Sequence, residues 1–380
     1  MPRPPATRPV FLHTGWRSGG TWIWARLRAQ PEVRAFYEPL HDVLATLDEA
    51  LIARETPGSW DSRHGGDAPY FAEYAPLLRQ RFLRSPRGVR AYEQRFAYEQ
   101  YFLDPNEPDD ALRRYLASLL EAGAGRIPIL KFCRSLGRVA WMERQFPEAL
   151  HAVVLRDPVA QWASVAAQLA AGNRFFAVGP LLVLARNPEA PLVREAVERF
   201  GLRLPALPAR RRDLDPELCW RHGQRLDEAA RYRIFMAFWT VTAISALSSR
   251  ALIIDADRLA DPSHSESVAA ALSAHAGIDI TLDTNVPPAR ASLPAGGPAA
   301  HAVALAMLGS RKPCLAPAAF ALIEGKLARR TIVSAPPIPA RADASWRDLE
   351  ADDPASRLRR AIYFAAIAAS MPLRRLHGRL

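Results

Sequence analysis

The sequence predicts an α/β fold, a three-layer α/β/α arrangement around a central, mainly parallel sheet, with helical insertions and a C-terminal extension. Five short apolar runs alternate with longer segments of helical period, and strands separated by helices pair in parallel. The first run ends in a glycine-rich turn that opens directly into a helix, a strand-loop-helix unit whose backbone can cradle an anion. With 380 residues, 49% of them hydrophobic, the chain can bury a sizeable core, and disorder throughout is excluded.

Pro9 to Thr14 is the first strand, stopped by Gly15-Trp16-Arg17-Ser18-Gly19-Gly20, and Thr21 to Arg28 continue as helix. Val33 to Tyr37 is the second, ended at Glu38-Pro39 because a residue before proline is pushed out of the helical region. Residues 41–125 read as a helical, loop-rich insertion; AYEQ recurs there at 91–94 and 97–100, a spacing that fits no solenoid. Pro128 to Phe132 is the third strand with a helix at Val139 to Phe146, and Leu150 to Leu155 the fourth with a helix from Pro158 to about Ala171. A second helical insertion covers 172–225, with a Pro/Arg-rich interruption at 204–216. A long helix at Leu226 to Ser248 and a fifth strand at Ala251 to Asp255 complete a domain spanning 8–285.

Residues 286–345, rich in Pro, Ala and Gly, read as a less regular extension, and 346–380 as terminal helices that pack back or bind a partner. Ala361 to Leu373 is the most apolar stretch but falls short of the roughly 20 residues of a spanning helix. It reads as a buried or docking helix, with a surface membrane anchor as the alternative. The N-terminus carries no apolar run of the secretory type, and Cys133, Cys219 and Cys314 lie too far apart for a disulfide framework or a cysteine-rich zinc site. A reduced, cytoplasmic protein is expected.

Fifty Lys+Arg against 39 Asp+Glu give +11, which favours an anionic partner without choosing among nucleic acid, acidic lipid, phosphorylated cofactor and acidic glycan. Only Lys131, Lys312 and Lys326 are lysines, so 50 − 3 = 47 of the basic residues are arginine, the bias of a GC-rich genome.

The turn at 15–22 has glycines at the spacing of G-x-x-x-x-G-K-[ST], but Thr21 and Trp22 stand where the lysine and the hydroxyl belong. An anion cradle lacking the nucleotide triphosphatase groups is expected. A second element, Arg156-Asp157-Pro158 with Ser164 eight residues after Arg156, sets a guanidinium and a hydroxyl where both reach one phosphate. Arg156 and Asp157 read equally well as caps of the strand-to-helix turn.

Together these elements resemble the sulfotransferase family that uses 3'-phosphoadenosine 5'-phosphosulfate. Its first loop often reads R-S-G-T-T-W, here Arg17-Ser18-Gly19-Gly20-Thr21-Trp22, and its later R-[ND]-P with serine is matched by Arg156-Asp157-Pro158 and Ser164. Ile254-Asp255-Ala256-Asp257-Arg258-Leu259-Ala260-Asp261-Pro262 looks like the family's late Y-E-D-L-x-x-D-P segment. The resemblance implies a P-loop-like fold, donor binding by residues 17–22, Arg156 and Ser164, release of 3',5'-ADP, and no metal. Gly20 departs from the pattern by removing one hydroxyl donor.

In-line transfer of a sulfuryl group develops charge on the oxygen bridging to the phosphate, so a cation there lowers the barrier; the resemblance gives Arg17 that role. The acceptor hydroxyl needs a base. Glu38, in a segment resembling the F-E-P-L of carbohydrate sulfotransferases, is the first candidate and His41 the second, while Lys131-Phe132-Cys133-Arg134 lacks the histidine of the family's cytosolic branch. Lys131 and Arg134 read chiefly as solvated strand-end cations, with contact to an anionic donor or acceptor as the alternative. Trp22, Trp24 and Trp162 read chiefly as packing, with stacking on adenine or acceptor as the alternative.

The expected activity is sulfuryl transfer to a hydroxyl on a carbohydrate, glycolipid or tailored metabolite. A nucleotide-dependent kinase, and an anion- or nucleic-acid-binding protein with a vestigial nucleotide site, are the alternatives. No nucleic acid is expected as partner; a peripheral membrane contact and the oligomeric state stay open.

Overall fold

The computed structural model describes residues 8–57, 68–80, 88–123, 125–209, 212–282 and 291–328. The strands form at Val10–Thr14 (β1), Val33–Tyr37 (β2), Ile127–Phe132 (β3), Leu150–Leu155 (β4) and Leu252–Asp255 (β5). All pair in parallel, in the order β2-β3-β1-β4-β5. β1 is central, with Leu12 opposite Lys131 on one side and Ala152 on the other. The chain first fills the sheet on one side of β1, then crosses to β4. The carboxyl ends of β1, β3 and β4 therefore meet where the winding reverses, the place where open parallel sheets hold ligands.

Among the described residues twelve α-helices surround the sheet: α1 Gly20–Arg28, α2 Glu49–Arg54, α3 Asp110–Ala122, α4 Val139–Gln145, α5 Pro158–Ala170, α6 Phe175–Arg186, α7 Pro191–Arg199, α8 Asp215–Gln224, α9 Glu228–Leu247, α10 Pro262–Ala276, α11 Gly297–Ser310 and α12 Pro317–Ala328. Two cores result, because a strand sends successive side chains to opposite faces. In β4, Ala152 and Val154 enter a core with Trp24, Leu116 and Leu272, whereas Val153 and Leu155 enter one with Phe235, Trp239 and Leu308.

α9 is apolar all round rather than striped; fourteen of its twenty residues are buried, which makes it the central post of the second core. α11 and α12 pack beside it through Ala304, Met307, Leu308, Ile323 and Leu327. Their segment was expected to be less regular. Its prolines mark helix starts instead, within the first turn of α11 and at the first residue of α12, where a missing N–H leaves nothing unsatisfied. The terminal helices expected at 346–380, Ala361 to Leu373 included, lie outside the described residues. Among the described residues no single helix is long and apolar enough to cross a membrane.

A chain of hydrogen bonds runs through the sheet. His151 Nε2 donates to the Phe146 carbonyl (3.2 Å), leaving Nδ1 to accept from His13 Nε2 (3.1 Å), and His13 Nδ1 then accepts from the Ser135 hydroxyl (2.7 Å). Burial, reinforced by His151, holds His13 well below the ordinary imidazole range, and burial lowers His151 to about 4. Unfolded histidines titrate near 6.5, so as pH falls from about 6.5 towards 4 the unfolded state takes up protons first and stability drops. Urea unfolding should show wild type losing about 2 kcal/mol per histidine, roughly 4 for the pair, between pH 7 and pH 5, and His151→Gln losing less.

Candidate active site

The turn after β1 is shaped to turn backbone amides outward. Arg17 (φ 62°) and Gly19 (φ 92°) both occupy the left-handed region, rare for a side chain as large as arginine. Ser18 is tied to the Gly15 carbonyl by its amide (3.3 Å) and its hydroxyl (2.8 Å), and Gln161 Nε2 donates to the Trp16 carbonyl at 2.6 Å. α1 follows without a side-chain cap. The amides of Gly19, Gly20 and Thr21 donate to no described residue, and the positive end of α1 adds to the cradle.

Three expected donor-site side chains converge on this turn. Arg17 Nε donates to Ser164 Oγ on α5 at 2.9 Å, and Arg156, at the end of β4, donates through Nη1 to the Arg17 carbonyl at 2.8 Å. Arg17 stands 147 residues from Ser164 and 139 from Arg156 in the sequence. Burial lowers the Arg156 guanidinium from its usual value against the opposing pull of Asp257 and Asp157, so an arriving anion would relieve a poorly solvated cation. Of the two residues read as caps, Asp157 does cap α5, accepting from Val159 N (2.8 Å) and Ala160 N (3.1 Å), whereas Arg156 reaches to the loop.

The rest of the loop differs in detail from expectation. Ser18 is buried with its hydroxyl spent inside the turn, so its side chain shapes the cradle. Thr21 Oγ1 lies 3.3 Å from the Tyr37 hydroxyl. Gly20 has a steric cause: a Cβ there would fall 2.3 Å from Thr14 Cγ2 and 2.7 Å from Thr14 Cβ. Thr14 is itself fixed by its hydroxyl to the Phe132 carbonyl at 2.7 Å, so the hydroxyl absent at 20 follows from the threonine at the end of β1. Trp24 is buried with Nε1 on the Ala35 carbonyl, Trp162 is buried against Tyr232 and Phe235, and half-buried Trp22 packs on the first core beneath Arg26.

Glu38 ends β2 at φ 49° with both carboxylate oxygens engaged. Oε1 accepts from Lys131 Nζ at 2.5 Å, and Oε2 from the Cys133 amide at 2.9 Å and Arg134 Nη1 at 3.4 Å. Burial alone would raise this carboxyl, but Lys131, Arg134 and the Cys133 side chain outweigh it and hold it at about 2. A carboxylate so stabilised is a weak proton acceptor; it anchors two cations. Lys131 and Arg134, expected to be solvated, are each only 1% exposed, because the carboxylate and the rings of Tyr37, Tyr98 and Phe175 enclose them.

His41 is half-buried and stacks on Phe175 (6.3 Å between centroids, 13°). Its Nδ1 lies 2.9 Å from Asp42 Oδ1 and 3.1 Å from Val43 N. The neutral ring can accept from Val43 or donate to Asp42 there. Only when Nδ1 donates to Asp42 does Nε2 keep a lone pair free to accept a proton. Phe175 and Phe176 link the parts: Phe175 faces His41, Trp16 and Arg134, while Phe176 lies under Arg17, 5.4 Å from its guanidinium carbon.

At the edge of the sheet Asp255 and Asp257 serve structure. Lys326 on α12, with no exposure, donates to Asp255 Oδ1 (2.6 Å) and Asp257 Oδ2 (2.5 Å), and Asp257 accepts the Asp157 amide at 2.6 Å. Asp42, Gln161, Phe175, Phe176 and Lys326 escaped sequence reasoning. Lys326 had one signal, since in a chain with 47 arginines two of the three lysines are buried against carboxylates. No group of three or more His, Cys, Asp or Glu placed to hold a metal ion occurs among the described residues. No family model, curated protein or solved structure matches the chain.

Proposed function

We propose that the chain transfers a sulfuryl group from 3'-phosphoadenosine 5'-phosphosulfate to an acceptor hydroxyl. The observation that carries this reading is the convergence of Arg17, Arg156 and Ser164 on one backbone cradle at the reversal point of the sheet. The cradle's amides suit the 5'-phosphate, Arg156 and Ser164 the 3'-phosphate, and Arg17 the bridging oxygen. In the transfer the acceptor oxygen bonds to sulfur, the bond from sulfur to the bridging oxygen breaks, and that electron pair stays on the phosphate. The acceptor proton goes to His41 Nε2 in the tautomer whose Nδ1 donates to Asp42, and His41 is favoured over Glu38 because both Glu38 oxygens are already committed.

Calorimetric titration with 3',5'-ADP tests the reading. Wild type is expected to bind without added metal, and Arg17→Ala and Arg156→Ala each to bind at least about tenfold more weakly, the loss of one charge-assisted hydrogen bond of roughly 1.5–3 kcal/mol. Absence of 3',5'-ADP binding, with ATP and magnesium bound instead, would overturn it in favour of a kinase.

A further inference from the structure

A cavity of about 330 Å³ lies between α5, α6, α8 and α9, about twice the roughly 150 Å³ that holds a benzene molecule in a protein interior. Its wall is graded. Trp162, Val165, Leu181, Cys219 and Phe235 are buried and make the inner part apolar. The charged and amide side chains, half-buried Arg231 and exposed Gln224, stand on the solvent side. Among the described residues that line the space none is Asp or Glu, and Arg231 is the one cation.

Arg231 stands in the first turn of α9, with Nε donating to the Gly223 carbonyl at 3.2 Å. Among the described residues no carboxylate pairs with its guanidinium. Asp227, four residues before it, is spent on capping the same helix, accepting from Ala230 N at 2.7 Å. A cation at the positive end of a helix is itself unfavourable, so a counterion arriving at Arg231 gains from both. A carboxylate matches the fork of the two Nη atoms, and an alkyl chain behind it would leave water for the apolar wall. A sugar in the same space would lay its hydroxyls against carbon without partners.

We infer that this cavity binds a single-chain carboxylate of the fatty-acid type, its tail of roughly eight to twelve carbons inside and its carboxylate on Arg231. The site is separate from the cradle after β1. It is independent of the sulfotransferase reading, since such a ligand carries no hydroxyl to accept a sulfuryl group.

Two kinds of variant separate the tail from the head. Arg231→Gln removes the charge and keeps most of the stem. Gly223 lines the space within α8, and a Cβ built on it meets only Leu181 Cδ1, at 3.7 Å, an ordinary contact. Gly223→Leu therefore fills the cavity while replacing a poor helix former by a good one. Ala177→Phe, from α6, is a second filling variant should the first misfold.

The full chain is titrated calorimetrically near neutral pH with octanoate and with octan-1-ol. Wild type is expected to bind octanoate at least about tenfold more tightly than the alcohol, the margin of one charge-assisted pair. Arg231→Gln should remove that margin, and a filling variant should weaken both ligands at least about tenfold. Arg156→Ala, which takes a cation from the cradle after β1, should leave octanoate binding unchanged. A loss there would put octanoate on the cradle and overturn the inference. So would no binding of octanoate, equal affinity for the two ligands in wild type, or octanoate binding that neither Arg231→Gln nor a filling variant weakens.

Discussion

Glu38→Ala is expected to cost about 3–5 kcal/mol of folding stability, because it leaves Lys131 and Arg134, each 1% exposed, as buried cations without their shared carboxylate. Glu38→Gln keeps the shape and removes the charge, and its unfolding midpoint in urea should fall nearly as far. The pH dependence has a definite sign. The Glu38 carboxyl lies at about 2 in the folded chain against 4.5 as its ordinary value, so its contribution is complete above about pH 4.5 and is lost as pH falls towards 2. That window lies below the one set by His13 and His151, and Glu38→Gln should flatten only the lower one. A Glu38→Gln variant that unfolds at the wild-type urea concentration yet has lost turnover would instead assign Glu38 to proton transfer.

Gly20→Thr, which restores the hydroxyl of the sulfotransferase loop, is expected to lower stability by about 2–3 kcal/mol and to weaken 3',5'-ADP binding rather than improve it. The new Cβ would meet Thr14 Cγ2 at 2.3 Å, and overpacking of this kind is relieved only by shifting backbone or rotamers. Thr14 cannot swing aside without giving up its bond to the Phe132 carbonyl. Thr14→Gly combined with Gly20→Thr removes the clash, and a thermal unfolding cycle over the four proteins should give a favourable coupling of at least about 1 kcal/mol. Thr14→Ala should rescue less, since the Thr14 Cβ is itself only 2.7 Å from the added atom. Simple additivity would mean that the loop opens independently of β1.

The sheet was legible because strands buried on both faces read as largely apolar runs, and four of the five end at Gly15, Glu38-Pro39, Arg156 or Asp255, β3 alone running on into Cys133. The cradle after β1 was legible for a related reason: Arg17, Arg156 and Ser164 follow strand ends at short, fixed offsets. Contacts made between distant helices leave no such trace. Nothing near Phe176 marks it as the floor of Arg17, and nothing near His41 says that Phe175 will stack on it. The ion pairs of Glu38 left no trace either, since the proline after it explains the end of the strand, while the Lys131 and Arg134 that claim its oxygens lie 93 and 96 residues on. Alanine-rich α11 and α12 were obscured by their prolines, which count against helix in a composition average but sit in first turns.

The bond between α12 and the sheet edge sets an order of assembly. A chain leaving the ribosome has all five strands by residue 255, yet Asp255 and Asp257 receive their cation from Lys326, 71 and 69 residues later. At about 5–20 residues per second the interval is roughly 4–14 s. During it Asp257, which also holds the Asp157 amide at the head of α5, carries an unneutralised charge beside Arg156 and competes with any anion for that guanidinium. The surroundings of Arg156 are thus completed last, after the sheet that carries it and only once α12 has closed the second core.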